Sequence, residues 1–209
     1  MTEGQSMKPA EAIQRLREGN ARYCEDRCDH PRADAARRLE TTEKGQHPFA
    51  TVLTCSDSRV PPELLFDQGV GDLFVVRVAG NVCHNDEIAS IEYGAAHLET
   101  PVCVILGHSR CGAVTAVVDG ARLEGPMAGL LEGVQHIVEG LRRDSPGLER
   151  TALLEEAIQA NIRQAVADLL EASAPIRERV RAGTLKVVGA HYGIDSGLVE
   201  WMGERVEDR

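Results

Sequence analysis

Aromatic residues are scarce in this chain: three Phe, three Tyr and one Trp in 209 residues. Any core must therefore be mostly aliphatic, and a 43% share of hydrophobic residues supplies enough material for a sizeable one. No stretch approaches the ~20 apolar residues that a membrane-spanning helix needs. The opening segment, MTEGQSMKPAEAIQRLREGN, lacks the apolar run of a secretory signal. A cytoplasmic protein without a membrane partner is the expectation. Positive charge is also short, with 23 basic residues against 33 acidic ones and a formal net charge of −10. No Lys/Arg block with interleaved aromatics offsets that negative field, which argues against a nucleic-acid partner. The six cysteines, in a reducing compartment, are expected to serve as core residues, metal ligands or reactive thiols rather than disulfides.

What is present fits one domain spanning residues 1–209. Ile13, Leu16 and Tyr23 lie at helical spacing behind Pro9, and a second polar helical stretch covers residues 32–44. Residues 1–45 thus read as a helical arm, too polar to form a core alone. The character then changes. PFATVLTC (48–55), DLFVVRVAG (72–80), PVCVILGH (101–108) and GTLKVVGAHYG (183–193) are short apolar runs bounded by Gly, Pro or polar residues, and GLVEW (197–201) is a shorter fifth. Such runs read as buried strands. Between them, residues 85–99 form a helix with Asn85 as N-cap and acids in its first turn. Residues 153–170 form a long helix with Ile158, Ile162, Val166 and Leu169 on one face. The Gly/Pro-rich stretch 119–129 reads as a connection. Alternating strands and helices predict an α/β fold, with a mainly parallel central β-sheet of four to five strands flanked by helices and an N-terminal helical arm.

Candidate chemistry gathers at the carboxyl ends of these strands, where open α/β sheets place their sites. Cys55 closes the first run in TCSDSRV, and His108 closes the third in GHSRCG, with Cys111 three residues on. A lone His or Cys at a strand end is ordinarily packing, and either fragment alone is a weak signal. Both at matching strand ends make a stronger one. Two thiolates and an imidazole favour tetrahedral Zn²⁺, and three protein ligands leave the fourth position open, as in a catalytic rather than a structural site. In an extended segment Asp57 shares a face with Cys55, and Arg59 can grip its carboxylate with a fixed fork of donors. The bland alternative is a surface ion pair of little worth.

CSDSRVPPELLFDQGVGDLFVVRVAGN followed by GHSRCGAV resembles the β-class carbonic anhydrases, and the likeness runs from GQHP at Gly45 to VVGAHYGIDSG near the C-terminus. The resemblance implies reversible hydration of carbon dioxide to bicarbonate and a proton by zinc-held hydroxide. It makes Cys55, His108 and Cys111 the ligands of one Zn²⁺ per chain and Asp57 and Arg59 the catalytic dyad. It makes Gln46 a substrate-binding residue contributed across a dimer interface, Phe74 and Tyr93 lining residues of the substrate pocket with Ala79 where a Val can occur, and Gly112 a glycine whose backbone lies close to the site. It also implies a homodimer, or a larger assembly of dimers, that exchanges N-terminal helices, so the arm would pack on a partner subunit. Some bacterial members carry an inhibitory bicarbonate pocket of Trp, Arg and Tyr. Arg77 and Tyr192 match two of these, but Val52 stands at the tryptophan position.

Other residues read more plainly. His84 is either a proton shuttle or an ordinary exposed histidine. Cys103 and His191 read as packing, and His97 and His136 need no special role. Three rivals stay open on sequence alone: hydrolysis of carbonyl sulfide or carbon disulfide on the same zinc, a non-catalytic zinc or thiol redox sensor using Cys24, Cys28 and Cys83, and covalent catalysis by Cys55 or Cys111.

Overall fold

The computed structural model describes residues 7–203. Helix α1 (Pro9–Cys24) starts on Pro9, whose missing N–H costs nothing at a first turn. Helix α2 (Ala35–Lys44) is capped by Asp34, whose side chain accepts from the Arg37 amide. Then follow β1 (Ala50–Cys55), the short α3 (Pro62–Leu65), β2 (Leu73–Val78), α4 (Asn85–Glu92), β3 (Val102–His108) and α5 (Gly112–Val118). The chain continues through α6 (Pro126–Leu130), α7 (Glu132–Asp144), α8 (Arg150–Ala172) and α9 (Ala174–Arg181) to β4 (Lys186–Tyr192) and β5 (Val199–Trp201).

The strands lie in the order β2-β1-β3-β4-β5. The first four are parallel, and β5 closes the edge antiparallel to β4. The predicted architecture is therefore the observed one, with five strands. Chain order reverses between β1 and β3, so a crevice opens beyond the carboxyl ends of those two neighbours, where such sheets bind ligands. Strand side chains alternate between two aliphatic layers. Leu53, Cys55, Cys103 and Ile105 face a core built with α4, α5, α7 and α8. Val52, Val102, Val104 and Leu106 face a second core with Ala12, Ile13 and Leu16 of α1. Both faces are covered, and every residue of β1 and β3 is buried.

Three local expectations are corrected. The N-cap of α4 is His84 rather than Asn85, because Glu87 reaches back to accept from the His84 amide at 3.1 Å. The helix predicted over 85–99 stops being α-helical at Glu92 and continues as one π-helical turn, Tyr93–His97, with the Leu98 amide bonded to the Tyr93 carbonyl. The stretch 119–129 is not wholly a connection, since Pro126 starts α6.

The arm divides in two. Helix α1 lies so close to the end of α3 that a Cβ on Gly19 would sit 1.7 Å from the Phe66 carbonyl oxygen. Asn20 beside it donates to the Leu65 and Gly197 carbonyls and accepts from the Val199 amide. Helix α2, by contrast, buries none of its residues, and Leu39 is exposed. Gly19→Ala is expected to destabilise the protein by about 3 kcal/mol, the upper range for overpacking against an atom that cannot step aside. Gly133→Ala on α7, where a Cβ meets nothing within 4 Å, should be neutral or stabilising by up to ~1 kcal/mol through helix propensity. Urea unfolding of both variants checks the contrast.

Candidate active site

Cys55 is the last residue of β1 and His108 the last of β3, and Thr54 opposes Leu106, so the two strands end side by side. Beyond His108 the chain makes a tight turn in which Arg110 takes φ +54°, and Cys111 becomes the N-cap residue of α5. That turn folds Cys111 back over the strand end. Cys55, His108 and Cys111 are all buried, and their ligand atoms lie within 4.8 Å of one another. The two sulfurs are 4.0 Å apart, close to the ~3.8 Å separation of two thiolates at ~2.3 Å from a tetrahedral zinc. His108 is fully buried and its Nδ1 faces the Ser109 carbonyl at 2.9 Å, which leaves Nε2 as the free nitrogen. Nε2 has no hydrogen-bond partner. A buried, orphaned imidazole nitrogen aimed at two sulfurs is a donor set that fits a Zn²⁺ ion.

The thiols carry the matching electrostatic signature. The Cys55 pKa is held well below the usual thiol range, first by a hydrogen bond from Cys111 and then by His108 and the amides of Gly80 and Asp57. The Cys111 pKa is pushed up in turn by the adjacent Cys55 sulfur and by burial. A dication between the two sulfurs would hold both as thiolates. The Gly80 and Asp57 amides donate to Cys55 Sγ at 3.3 and 3.4 Å.

Asp57 and Arg59 stand beside this set. The segment past Cys55 is extended only briefly: the Val60 amide donates to the Asp57 carbonyl, and this reverse turn brings Arg59 back onto the carboxylate. Arg59 donates from Nε to Oδ1 at 3.0 Å, from Nη2 to Oδ2 at 2.7 Å and from its own amide to Oδ1 at 2.9 Å. Those bonds, the guanidinium ones first, hold Asp57 well below the usual carboxylate range. Asp57 Oδ2 lies 4.0 Å from His108 Nε2.

Of the other residues implied by the resemblance, Gln46, Phe74 and Tyr93 do not converge here within one chain. Gln46 is exposed and precedes β1, at the opposite end of that strand from Cys55. Phe74 opposes Thr51 near the start of β2 and stacks on Tyr93 at 5.7 Å, with Tyr93 47% exposed. Ala79 follows β2 near the cysteine end, and Gly112 opens α5, where an added Cβ would meet nothing within 4 Å. Arg77 is engaged with the ligand loop, donating to the Cys55 carbonyl through Nε and Nη2 and to the Asp57 carbonyl at 2.6 Å. Tyr192 is buried, its hydroxyl 3.5 Å from that of Tyr23. Sequence reasoning missed the Gly80 amide as a sulfur donor and Arg77 as a brace. The run of small residues after β2 was the only signal for the first.

Among the thiols proposed for a redox sensor, Cys83 is pushed up to about 12 by burial, and Cys24 and Cys28 are also raised by desolvation. None is an activated thiolate. Cys103 is fully buried core, as expected. His191 is buried too, with Nε2 3.4 Å from Glu155. Among the described residues no helix is long and apolar enough to cross a membrane.

Comparison with known proteins agrees with the geometry. A family model described as carbonic anhydrase matches residues 50–199. Carbonic anhydrase 2 of Mycobacterium tuberculosis is 40% identical over 193 residues, covering 90% of each chain. The carbonic anhydrase of Mycolicibacterium smegmatis is 38% identical over 196 residues, covering 92% of each. Among solved structures, the β-carbonic anhydrase CcaA superposes with a TM-score of 0.71 at 30% identity, covering 94% of this chain and 97% of that one. A tetrameric β-carbonic anhydrase of Sordaria macrospora gives 0.74 at 25% identity, covering 81% and 88%. With the family model spanning most of the chain and the two thiols and imidazole poised at its switch point, the chain belongs to the β-class carbonic anhydrases and hydrates carbon dioxide.

Proposed function

We propose that the reaction runs at one Zn²⁺ per chain held by Cys55, His108 and Cys111, in the reducing cytoplasm, and that each site is completed by a second copy of the chain. The observation that carries the metal reading is the orphaned, buried Nε2 of His108 facing two sulfurs 4.0 Å apart. Bound there, zinc supplies a Lewis acid that lowers the pKa of water, less strongly than behind three neutral imidazoles because two thiolates cancel its charge.

The side chains do the rest. Asp57, kept ionised by Arg59, is acceptor-only. It takes a hydrogen bond from the attacking water and turns that water's lone pair toward the substrate carbon. Arg59 fixes the carboxylate through two side-chain bonds and one amide bond, and Arg77 pins the Cys55 and Asp57 carbonyls beneath it. Carbon dioxide is apolar, so the Phe74–Tyr93 pair suits it as a wall. The Gln46 amide is a donor for the oxygen that gains charge.

Gln46, Phe74 and Tyr93 lie toward the amino ends of β1 and β2, away from Cys55, and α2 presents an unburied surface. Both facts support their delivery from a partner subunit, and the similar β-carbonic anhydrase of Sordaria macrospora is a tetramer. A mixture of His108→Ala and Gln46→Ala chains tests it. Each variant alone is expected to be nearly inactive. A mixed dimer pairs an intact metal site with an intact Gln46 of the partner subunit, so random mixing should restore about a quarter of wild-type sites. No gain on mixing would show that each site is built within one chain.

A further inference from the structure

Helix α8 turns an almost wholly apolar face to the sheet: Leu153, Ala157, Ile158, Ile162, Ala165 and Leu169 are buried along it. One polar side chain interrupts that face. Asn161 is 4% exposed, and its Nδ2 donates to the Gly80 carbonyl at 2.7 Å, across 81 residues of sequence. A buried amide is tolerated only where it is satisfied, so it could serve merely to satisfy a turn carbonyl. The identity of that turn indicates a more specific role. Gly80 holds φ +77° and sends its own amide to Cys55 Sγ at 3.3 Å.

A glycine visits that backbone region as readily as others and is not locked there by its own sterics. Something else must fix the direction of its N–H. The Asn161 bond grips the carbonyl side of Gly80 while the amide side meets the sulfur. Helix α8 can reach this position because Gly107 and Gly189 have no Cβ: added ones would lie 2.5 and 2.9 Å from Ile162 atoms. The close approach that seats Ile162 on β3 and β4 therefore brings its neighbour Asn161 onto the turn.

We propose that Asn161 is a positioning residue for the metal site, aligning the Gly80 amide on the Cys55 sulfur so that the thiolate is partly neutralised and correctly oriented. This rests on the reading of Cys55 as a metal ligand. Outer partners of this kind typically change metal affinity or activity by about 10–100-fold when removed.

The test uses the full-length protein loaded with Co²⁺, whose thiolate-to-metal charge-transfer band reports electron density on sulfur. In Asn161→Ala the Gly80 amide is released, the Cys55 thiolate becomes more electron-rich, and the band moves to longer wavelength. Metal loss to a chelator should quicken by roughly tenfold. Leu153→Ala, a buried change in the first turn of the same helix about two turns from Asn161, should lower the melting temperature while leaving band and release rate as in wild type. Asn161→Ser, whose shorter side chain keeps a hydroxyl but holds it back from the Gly80 carbonyl, is read by the same band should the alanine variant fail to fold. A wild-type band position and release rate in the folded Asn161 variant, or the same shift in Leu153→Ala, overturns the proposal. Absence of any thiolate–cobalt band in wild type overturns the metal reading, and this inference with it.

Discussion

Cys111→Ala is expected to cut carbon dioxide hydration by at least about a thousandfold, because water that loses its Lewis acid returns toward its bulk pKa of 15.7. Cys111 supplies one of the two sulfurs of the set, and without it Cys55 and His108 are left as a bidentate pair. The nearest carboxylate, Asp57, is held by three hydrogen bonds from Arg59 and would have to abandon them to substitute. Stopped-flow hydration with metal analysis on the same preparation checks this, and the two losses should run together. Cys103→Ala is the matched comparison. It removes an equally buried sulfur from the core face of β3, and should cost stability while leaving metal content and rate intact. An active Cys111→Ala protein would remove that cysteine from the metal site.

The second large effect concerns the dyad. Arg59→Ala is expected to lower kcat by about 100-fold with the metal retained, the scale on which small misplacements of a reacting group act. Arg59→Lys should rescue little of it. Arg59 uses Nε and Nη2 in a fork against both carboxylate oxygens, and an ammonium supplies the charge without the geometry. The carboxylate itself gives an independent readout. Asp57 must be ionised to accept a hydrogen bond, and in the native protein Arg59 keeps it so far below the usual carboxylate range. Without the guanidinium its pKa rises toward the ordinary value of about 3.9. Titration of the Asp57 carboxylate followed by infrared or NMR spectroscopy should then have its midpoint at higher pH in Arg59→Ala than in the native protein. Full activity in Arg59→Lys would mean that charge alone, and not orientation, is what Asp57 receives.

The ligand set was legible because Cys55 and His108 each close an apolar run, with Cys111 three residues on, and the ends of neighbouring parallel strands in an α/β sheet are close in space. The strands themselves were legible because burial on both faces leaves short runs with no charged residue at β1 and β3. What escaped depends on contacts between distant segments. The cap of α4 moved one residue because Glu87 bonds the His84 amide, a competition between two adequate starts. Arg77 entered the sequence reading only as a match, through the resemblance, to the arginine of a bicarbonate pocket. Its two carbonyl acceptors appear only once β1 is laid beside it. Asn161 was one unremarked position in a helix whose apolar stripe carried the prediction. For Gln46, Phe74, Tyr93 and Gly112 the spacing itself says nothing, and their roles came from resemblance. One chain holds the first three apart from Cys55, which is the geometric reason a second copy enters the proposal.

X-ray absorption at the zinc edge of the purified protein addresses the metal site most directly. The predicted result is one zinc per chain with two sulfurs at about 2.3 Å and one imidazole nitrogen at about 2.0 Å, plus a single light scatterer. A sub-stoichiometric metal content, or a shell made only of oxygen and nitrogen, would contradict it.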